Sequence, residues 1–212
     1  MTAAPPLVKI CGLTRPEDVD AAVEAGADLI GLILVDWSPR AVDARQAEAL
    51  RARVPAGVGV VGVFVDEDPD TVEQLVDALD LDHVQLHGAE PPEVVERFGA
   101  RAIKAYRLPL DRPADDALVG STVLLDRAFG AEARADDLAE HWRTAAAVGV
   151  GRRVLLAGSL TVGNVGHAVA AARPWAVDGV RGTEAAPGVK DHAQLHAFVQ
   201  AARNAPTRGE HR

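Results

Sequence analysis

The sequence predicts an α/β fold, a single-domain (β/α)8 TIM barrel over residues 1–212, and three observations carry that expectation. Eight short runs rich in Val, Ile and Leu recur at intervals of roughly 20 to 30 residues. Segments with helical spacing lie between them, and alternation of strand and helix throughout makes a parallel sheet. Eight such units in 212 residues sit at the compact end of the barrel range. A doubly wound sheet would usually have about five or six strands, and no dinucleotide-binding glycine fingerprint follows the first run.

Strands are expected at Leu7–Cys11, Asp28–Leu34, Val58–Val65, His83–His87, Ala102–Ala105, Thr122–Asp126, Val154–Ala157 and Ala176–Val180. After the first, Thr14, Pro16 and Glu17 form a capping-box pattern with proline in the first turn. Val19, Ala22 and Val23 then share one face, and Gly26 ends the helix. Asp70, Thr71, Leu75, Val76 and Leu79 repeat the arrangement after the third strand. His141–Val148 and Val165–Ala172 are Ala-rich and helical, and Asp191, Leu195, Phe198 and Val199 suit a closing helix. Loose ends are expected at 1–6 and at about 204–212.

Composition narrows the function. Apolar residues make up 48% and aromatics only 4%, which favours layered packing of Ala, Val and Leu over aromatic recognition surfaces. A net charge of −9 offers polyphosphates no long-range attraction, so nucleic acid is not an expected partner. No apolar run nears the ~20 residues of a membrane span, and Met1–Pro6 lacks the basic and apolar regions of a signal peptide. The expectation is a cytoplasmic protein with no membrane partner. The single cysteine can form neither an internal disulfide nor a thiolate metal cluster, so Cys11 is either a buried small hydrophobe or a chemical group.

Strand residues two apart point into the same space, and in this fold catalytic groups sit at the strands' C-terminal ends. Val8 and Ile10 would face the helices, leaving Lys9 and Cys11 inward with Cys11 at the rim. Asp126 ends the sixth strand, Gln85 and His87 end the fourth, Lys104 interrupts the fifth and Asp178 the eighth. Each is costly to bury unless it is paired or used. Structural roles compete: Cys11 as packing, Asp126 as a loop cap, His87 as a satisfied core histidine, Lys9 and Asp178 as an interior ion pair. His192 and His196 stand one helical turn apart, but without a third ligand they read as a solvated helix face, and no metal site is expected.

Lys9-Ile10-Cys11-Gly12-Leu13-Thr14, Ser38-Pro39-Arg40, Val61-Gly62-Val63-Phe64-Val65, Val84-Gln85-Leu86-His87-Gly88 and Leu124-Leu125-Asp126 occur in order, followed by Gly182-Thr183-Glu184 and Pro187-Gly188 with Lys190-Asp191. This series resembles phosphoribosylanthranilate isomerase, a tryptophan-pathway family, from Leu7 to about Ala202. The resemblance implies an Amadori rearrangement of N-(5-phosphoribosyl)anthranilate, with Asp126 as general acid, Cys11 as general base and no cofactor. It implies that Arg40 holds the anthranilate carboxylate, for which a planar fork suits better than an ammonium. Lys9, Gln85, His87 and Asp178 are candidates for further substrate contacts. Gly158, Ser159, Arg181 and Gly182 would bind the phosphate. The implied partner is thus a small phosphorylated anthranilate, with monomer and homodimer both open.

The chain departs from the family pattern in its loops. Arg127–Leu138 reads RAFGAEARADDL where the family has a Gly-rich lid, which places Glu132 and Asp136 near a phosphorylated substrate. Ala157-Gly158-Ser159 and Val180-Arg181-Gly182 replace Ser/Ala-Gly-Gly and Ser-Ser-Gly, and Leu34-Val35-Asp36-Trp37 dilutes the usual aromatic and basic character before Ser38. Arg181 can either reach the phosphate or pair with Glu184. Three readings therefore stand: a divergent phosphoribosylanthranilate isomerase, a paralogue using the same acid–base pair on a related substrate, and a barrel that only binds a small anion or partner.

Overall fold

A computed structural model describes residues 4–108, 118–127 and 134–206. Eight parallel strands close into a barrel in chain order: β1 (Leu7–Cys11), β2 (Leu29–Ile33), β3 (Gly59–Phe64), β4 (His83–Leu86), β5 (Ala102–Leu108), β6 (Thr122–Arg127), β7 (Arg153–Leu156) and β8 (Ala176–Gly179). The expected fold is the fold found. Around the barrel, among the described residues, lie α1 (Pro16–Ala25), α2 (Ala44–Arg51), α3 (Pro69–Ala78), α4 (Pro92–Phe98), α5 (Ala135–Val148), α6 (Val165–Ala172) and α7 (His192–Arg203). Two short strands, β9 (Glu184–Ala186) and β10 (Val189–Lys190), form an antiparallel hairpin outside the barrel.

The period-two rule decides what faces where. Val8, Ile10, Ile30, Leu32, Val123 and Leu125 join the layer between strands and helices, while Leu29, Val61, Ile103, Leu124 and Leu155 fill the interior. Lys104 belongs to the outer set, with Ala102 and Leu108, and so points away from the interior. Its ammonium holds Glu90 at 3.0 Å and donates to Gly88 O at 2.8 Å, which fixes the loop after β4. That burial is satisfied by pairing rather than by ligand contact.

Helix starts differ from expectation at α1, at α3, which is capped by Asp68 rather than Asp70, and at α5, which begins at Ala135 rather than His141. Arg15, not Thr14, occupies the start of α1, without a side-chain cap, while Thr14 Oγ1 donates to Gly188 O at 2.6 Å. The hairpin draws Thr14 away from its own helix. Gly26 closes α1 in the left-handed conformation, as expected (φ 90°). α2 was not visible in the hydrophobic pattern because its run ARQAEALR is mostly polar, yet Asp43 and Gln46 give it a complete capping box. α7 seals the barrel's outside by burying Leu195, Phe198 and Val199 completely, each worth roughly 1.5–3 kcal/mol of apolar transfer. At the chain ends, Pro6 is buried and Ala205 joins the core; residues 1–3 and 207–212 lie outside the described set.

Candidate active site

The strands' C-terminal ends surround a cavity of about 270 Å³. Inward positions supply its floor and walls: Cys11 from β1, His87 just beyond β4, Arg107 from β5, Asp126 from β6 and Asp178 from β8. Loops complete it with Ser38, Pro39 and Arg40 on one side and Gly158, Ser159, Arg181 and Gly182 on another. The structure thus brings together ten of the residues singled out in the sequence: Cys11, Asp126, Arg40, Gln85, His87, Asp178, Gly158, Ser159, Arg181 and Gly182. Lys9 lies beneath them, fully enclosed, and does not form the wall.

Cys11 reaches the cavity because β2 makes room for it. Cys11 pairs in register with Gly31, and a Cβ on Gly31 would stand 2.5 Å from the sulfur. Burial pushes the thiol above its ordinary pKa, opposed by the neighbouring ammonium of Lys9. Lys9 in turn bonds Asp178 Oδ2 at 3.0 Å. Burial likewise pushes the Asp126 carboxyl above the usual carboxylate range, although its own oxygen accepts Arg127 N–H at 2.7 Å. Burial therefore shifts both groups toward their neutral forms.

His87 approaches Asp126 at 3.7 Å (Nε2 to Oδ2), and Gln85 Nε2 meets its other ring nitrogen at 3.0 Å. Burial and the cations Arg107, Lys9 and Lys104 lower the imidazole pKa to about 4, so the ring is neutral near pH 7. His87 Nε2, Gln85 Oε1 and Asp178 Oδ1 are buried without a hydrogen-bond partner among the described residues. Native interiors rarely leave such atoms unmatched, so their presence in one cavity suits a polar ligand.

Arg40 makes a side-on double hydrogen bond to Glu184, Nε to Oε1 at 2.8 Å and Nη2 to Oε2 at 2.7 Å. Arg181 is exposed at the rim, and Glu184 is committed to Arg40 and Lys190 rather than to it. Ser159 follows Gly158 in a left-handed backbone (φ 58° and 89°), the conformation in which a second glycine would sit without strain. Asp136 is exposed at the start of α5, whereas Glu132 and the rest of 128–133 lie outside the described residues. No group of three or more His, Cys, Asp or Glu side chains could hold a metal ion among the described residues, and His192 instead meets Asp18 at 2.8 Å.

Residues 8–201 match the family model described as N-(5'-phosphoribosyl)anthranilate (PRA) isomerase. The chain belongs to that family. A relative from Halorhodospira halophila of that name is 42% identical over 199 residues, covering 91% of this chain and 94% of its own. A solved phosphoribosyl anthranilate isomerase in complex with reduced 1-(o-carboxyphenylamino)-1-deoxyribulose 5-phosphate superposes with a TM-score of 0.80 at 33% identity, covering 93% and 98% of the two chains. A structure described as mutually generated monomers of the dimeric Thermotoga maritima enzyme gives 0.75 at 31% identity, covering 94% and 99%. The family's barrel is thus kept along nearly the whole chain.

Two members of the site, Arg107 and Lys190, were not singled out from sequence, and Glu184 was weighed only as a partner of Arg181. Arg107 continues the inward series Ile103, Ala105, and only the extension of β5 to Leu108 rather than Ala105 brings it into the wall. Glu184 and Lys190 stood inside a recognised motif, but their contacts cross from the hairpin to Arg40 and to Cys11 O, a relation no local pattern encodes.

Proposed function

We propose that this chain converts N-(5-phosphoribosyl)anthranilate into 1-(2-carboxyphenylamino)-1-deoxyribulose 5-phosphate, as the isomerase of tryptophan biosynthesis, in the cytoplasm. The observation that carries the reading is that Cys11 and Asp126 face one cavity with a guanidinium and a glycine-containing rim in its walls. A substrate reaching from Arg40 to the loops at Gly158 and Gly182 passes between the two.

Asp126 protonates the furanose ring oxygen, the C1–O bond breaks, and the anilino nitrogen's lone pair forms an iminium at C1. Cys11, as thiolate, removes the C2 proton; the C–H electrons become the C1=C2 bond of an enolamine and neutralise the iminium. Return of a proton to C1 and loss of one from the C2 hydroxyl gives the ketose, so atoms and electrons balance without an oxidant. Arg40 takes the aryl carboxylate, apolar Ile33, Val35 and Pro39 flank the ring, and backbone N–H groups around Gly158, Ser159 and Gly182 take the phosphate with Arg181 above them. Lys9 acts through Cys11, favouring its thiolate. His87, held by Gln85, and Asp178 offer their unmatched polar atoms to the sugar hydroxyls.

Among the described residues the exposed large apolar side chains are Trp37 and Val150, one in the loop after β2 and one in the loop before β7, at opposite ends of the barrel. No helix of the described residues is long and apolar enough to cross a membrane.

The deciding experiment supplies purified protein with freshly made phosphoribosylanthranilate and follows loss of its fluorescence. Cys11→Ala and Asp126→Ala should each reduce the rate by about 10²- to 10⁴-fold, the usual contribution of a positioned acid or base. Undiminished rates in both variants would remove these roles, and failure of the parent chain to turn over would remove the activity.

A further inference from the structure

Glu184 is the feature of the site that the reaction itself does not call for. A carboxylate beside the guanidinium that is to bind a carboxylate should repel the ligand, yet Glu184 is almost enclosed, with 5% of its side chain exposed. Burial alone would raise its pKa; the hydrogen bonds from Arg40 and the charges of Lys190 and Arg40 outweigh that and hold it below the usual range.

The geometry explains the contradiction. Glu184 occupies the Nε–Nη2 edge of Arg40. A guanidinium has a second two-donor edge, Nη1–Nη2, and with the first edge pinned this is the one left for a ligand. Lys190 Nζ stands 3.5 Å from Glu184 Oε1, so the trio Arg40, Glu184 and Lys190 keeps one net positive charge. Lys190 also donates to Cys11 O at 2.8 Å and Val180 O at 3.1 Å. The hairpin therefore joins the fork to the strand that carries Cys11 and to the loop that leads to Arg181 and Gly182.

We propose that Glu184 is a positioning residue that sets selectivity for an ortho-carboxylated arylamine by pinning the fork of Arg40. The inference rests on the reading that Arg40 takes the substrate's carboxylate. The hairpin then has a specific role, which is to aim a cation that would otherwise sample several rotamers on a long side chain.

The test compares the parent with Glu184→Gln, which keeps size and removes charge, and Glu184→Asp, which keeps charge and withdraws it. Each is given phosphoribosylanthranilate as substrate and its aniline counterpart, lacking the carboxylate, as a competitive inhibitor, so the counterpart needs no turnover. Glu184→Gln should raise KM about 10- to 100-fold, the range of a charge-assisted hydrogen bond, with kcat within about threefold. The aniline counterpart's inhibition constant should stay within about twofold, Glu184→Asp should fall between, and in an Arg40→Ala background Glu184→Gln should add less than about twofold. Equal weakening of both ligands, or a lower KM in Glu184→Gln, overturns the proposal. Absence of turnover by the parent instead overturns the activity on which it rests.

Discussion

Lys9 and Asp178 stand opposite one another in the β1–β8 register, and Lys9 Nζ meets Asp178 Oδ2 at 3.0 Å inside the barrel. With side-chain exposures of 0% and 4%, neither charge has water to fall back on. Burial alone would lower the pKa of Lys9; Asp178 and Cys11 outweigh it and hold the ammonium above its ordinary value. Lys9→Met removes the cation that Asp178 pairs with inside the barrel and should cost about 3–5 kcal/mol, read as a lower urea midpoint. Adding Asp178→Asn should recover much of that loss. A Lys9→Met protein as stable as its parent would show that the pair is not a structural unit.

The pH dependence of kcat/KM follows from the two raised pKa values. The base must be a thiolate, and burial pushes Cys11 up; the acid must be a neutral carboxyl, and burial pushes Asp126 up as well. The thiol still titrates above the carboxyl, so the active pair is a minority species at every pH. Below the Asp126 pKa the rate falls as the thiolate fraction shrinks while the carboxyl is already neutral. Above the Cys11 pKa it falls because the carboxyl keeps losing its proton while the thiolate is complete. Between them the two trends cancel into a plateau. The measured profile should be a broad bell with an acid limb above the ordinary carboxylate range. Lys9→Met should move only the alkaline limb, upward, and lower the plateau. An alkaline limb that stays in place in that variant would detach Lys9 from Cys11.

Gly31 is the cheapest position at which to displace the base without touching it. Its Cβ would lie 2.5 Å from the Cys11 sulfur and 3.0 Å from the Cys11 backbone, and the latter cannot rotate away. Gly31→Ala should therefore destabilise by about 1–3 kcal/mol, as overpacking does, and reduce kcat by about 10²-fold through misplacement of the thiol. Thermal melting and steady-state rates check both halves. Full activity in Gly31→Ala would mean that the thiol has more room than the strands allow.

The inward series could be read from the chain because strands enforce it: once Leu7–Cys11 is a strand, Val8 and Ile10 must face the helices, and Lys9 and Cys11 must not. Lys9–Asp178 was legible for the same reason, since two interior charges on strands that close the barrel have few other partners. Lys104 was misleading, because the same alternation that sends Arg107 inward sends Lys104 outward, and the apolar residues on both sides of Lys104 do not say which face of β5 is the inner one. Glu184 was quoted in a motif yet unread as a partner of Arg40. The two are joined across 144 positions by a hairpin whose strands hold three and two residues, too short for periodicity to announce.

Ser159 occupies a backbone conformation that should carry a measurable cost. It adopts φ 58° directly after Gly158 at φ 89°. An L-residue in that region is disfavoured by roughly 1–2 kcal/mol, and a glycine there would lose part of the gain, roughly 0.5–1 kcal/mol, to its freer unfolded chain. The turn is held by its backbone, since Ser159 O accepts from Asn164 Nδ2 at 3.0 Å and Asn164 Oδ1 accepts from Thr161 N–H at 2.8 Å. Ser159→Gly should therefore stabilise by up to about 1 kcal/mol, raising Tm by about 2–4 °C. If backbone N–H groups bind the phosphate, KM should stay within about twofold, because the variant keeps every one of them. A lower Tm would assign the hydroxyl a part in holding the turn, and a KM raised about tenfold at unchanged Tm would assign it a direct bond to the phosphate.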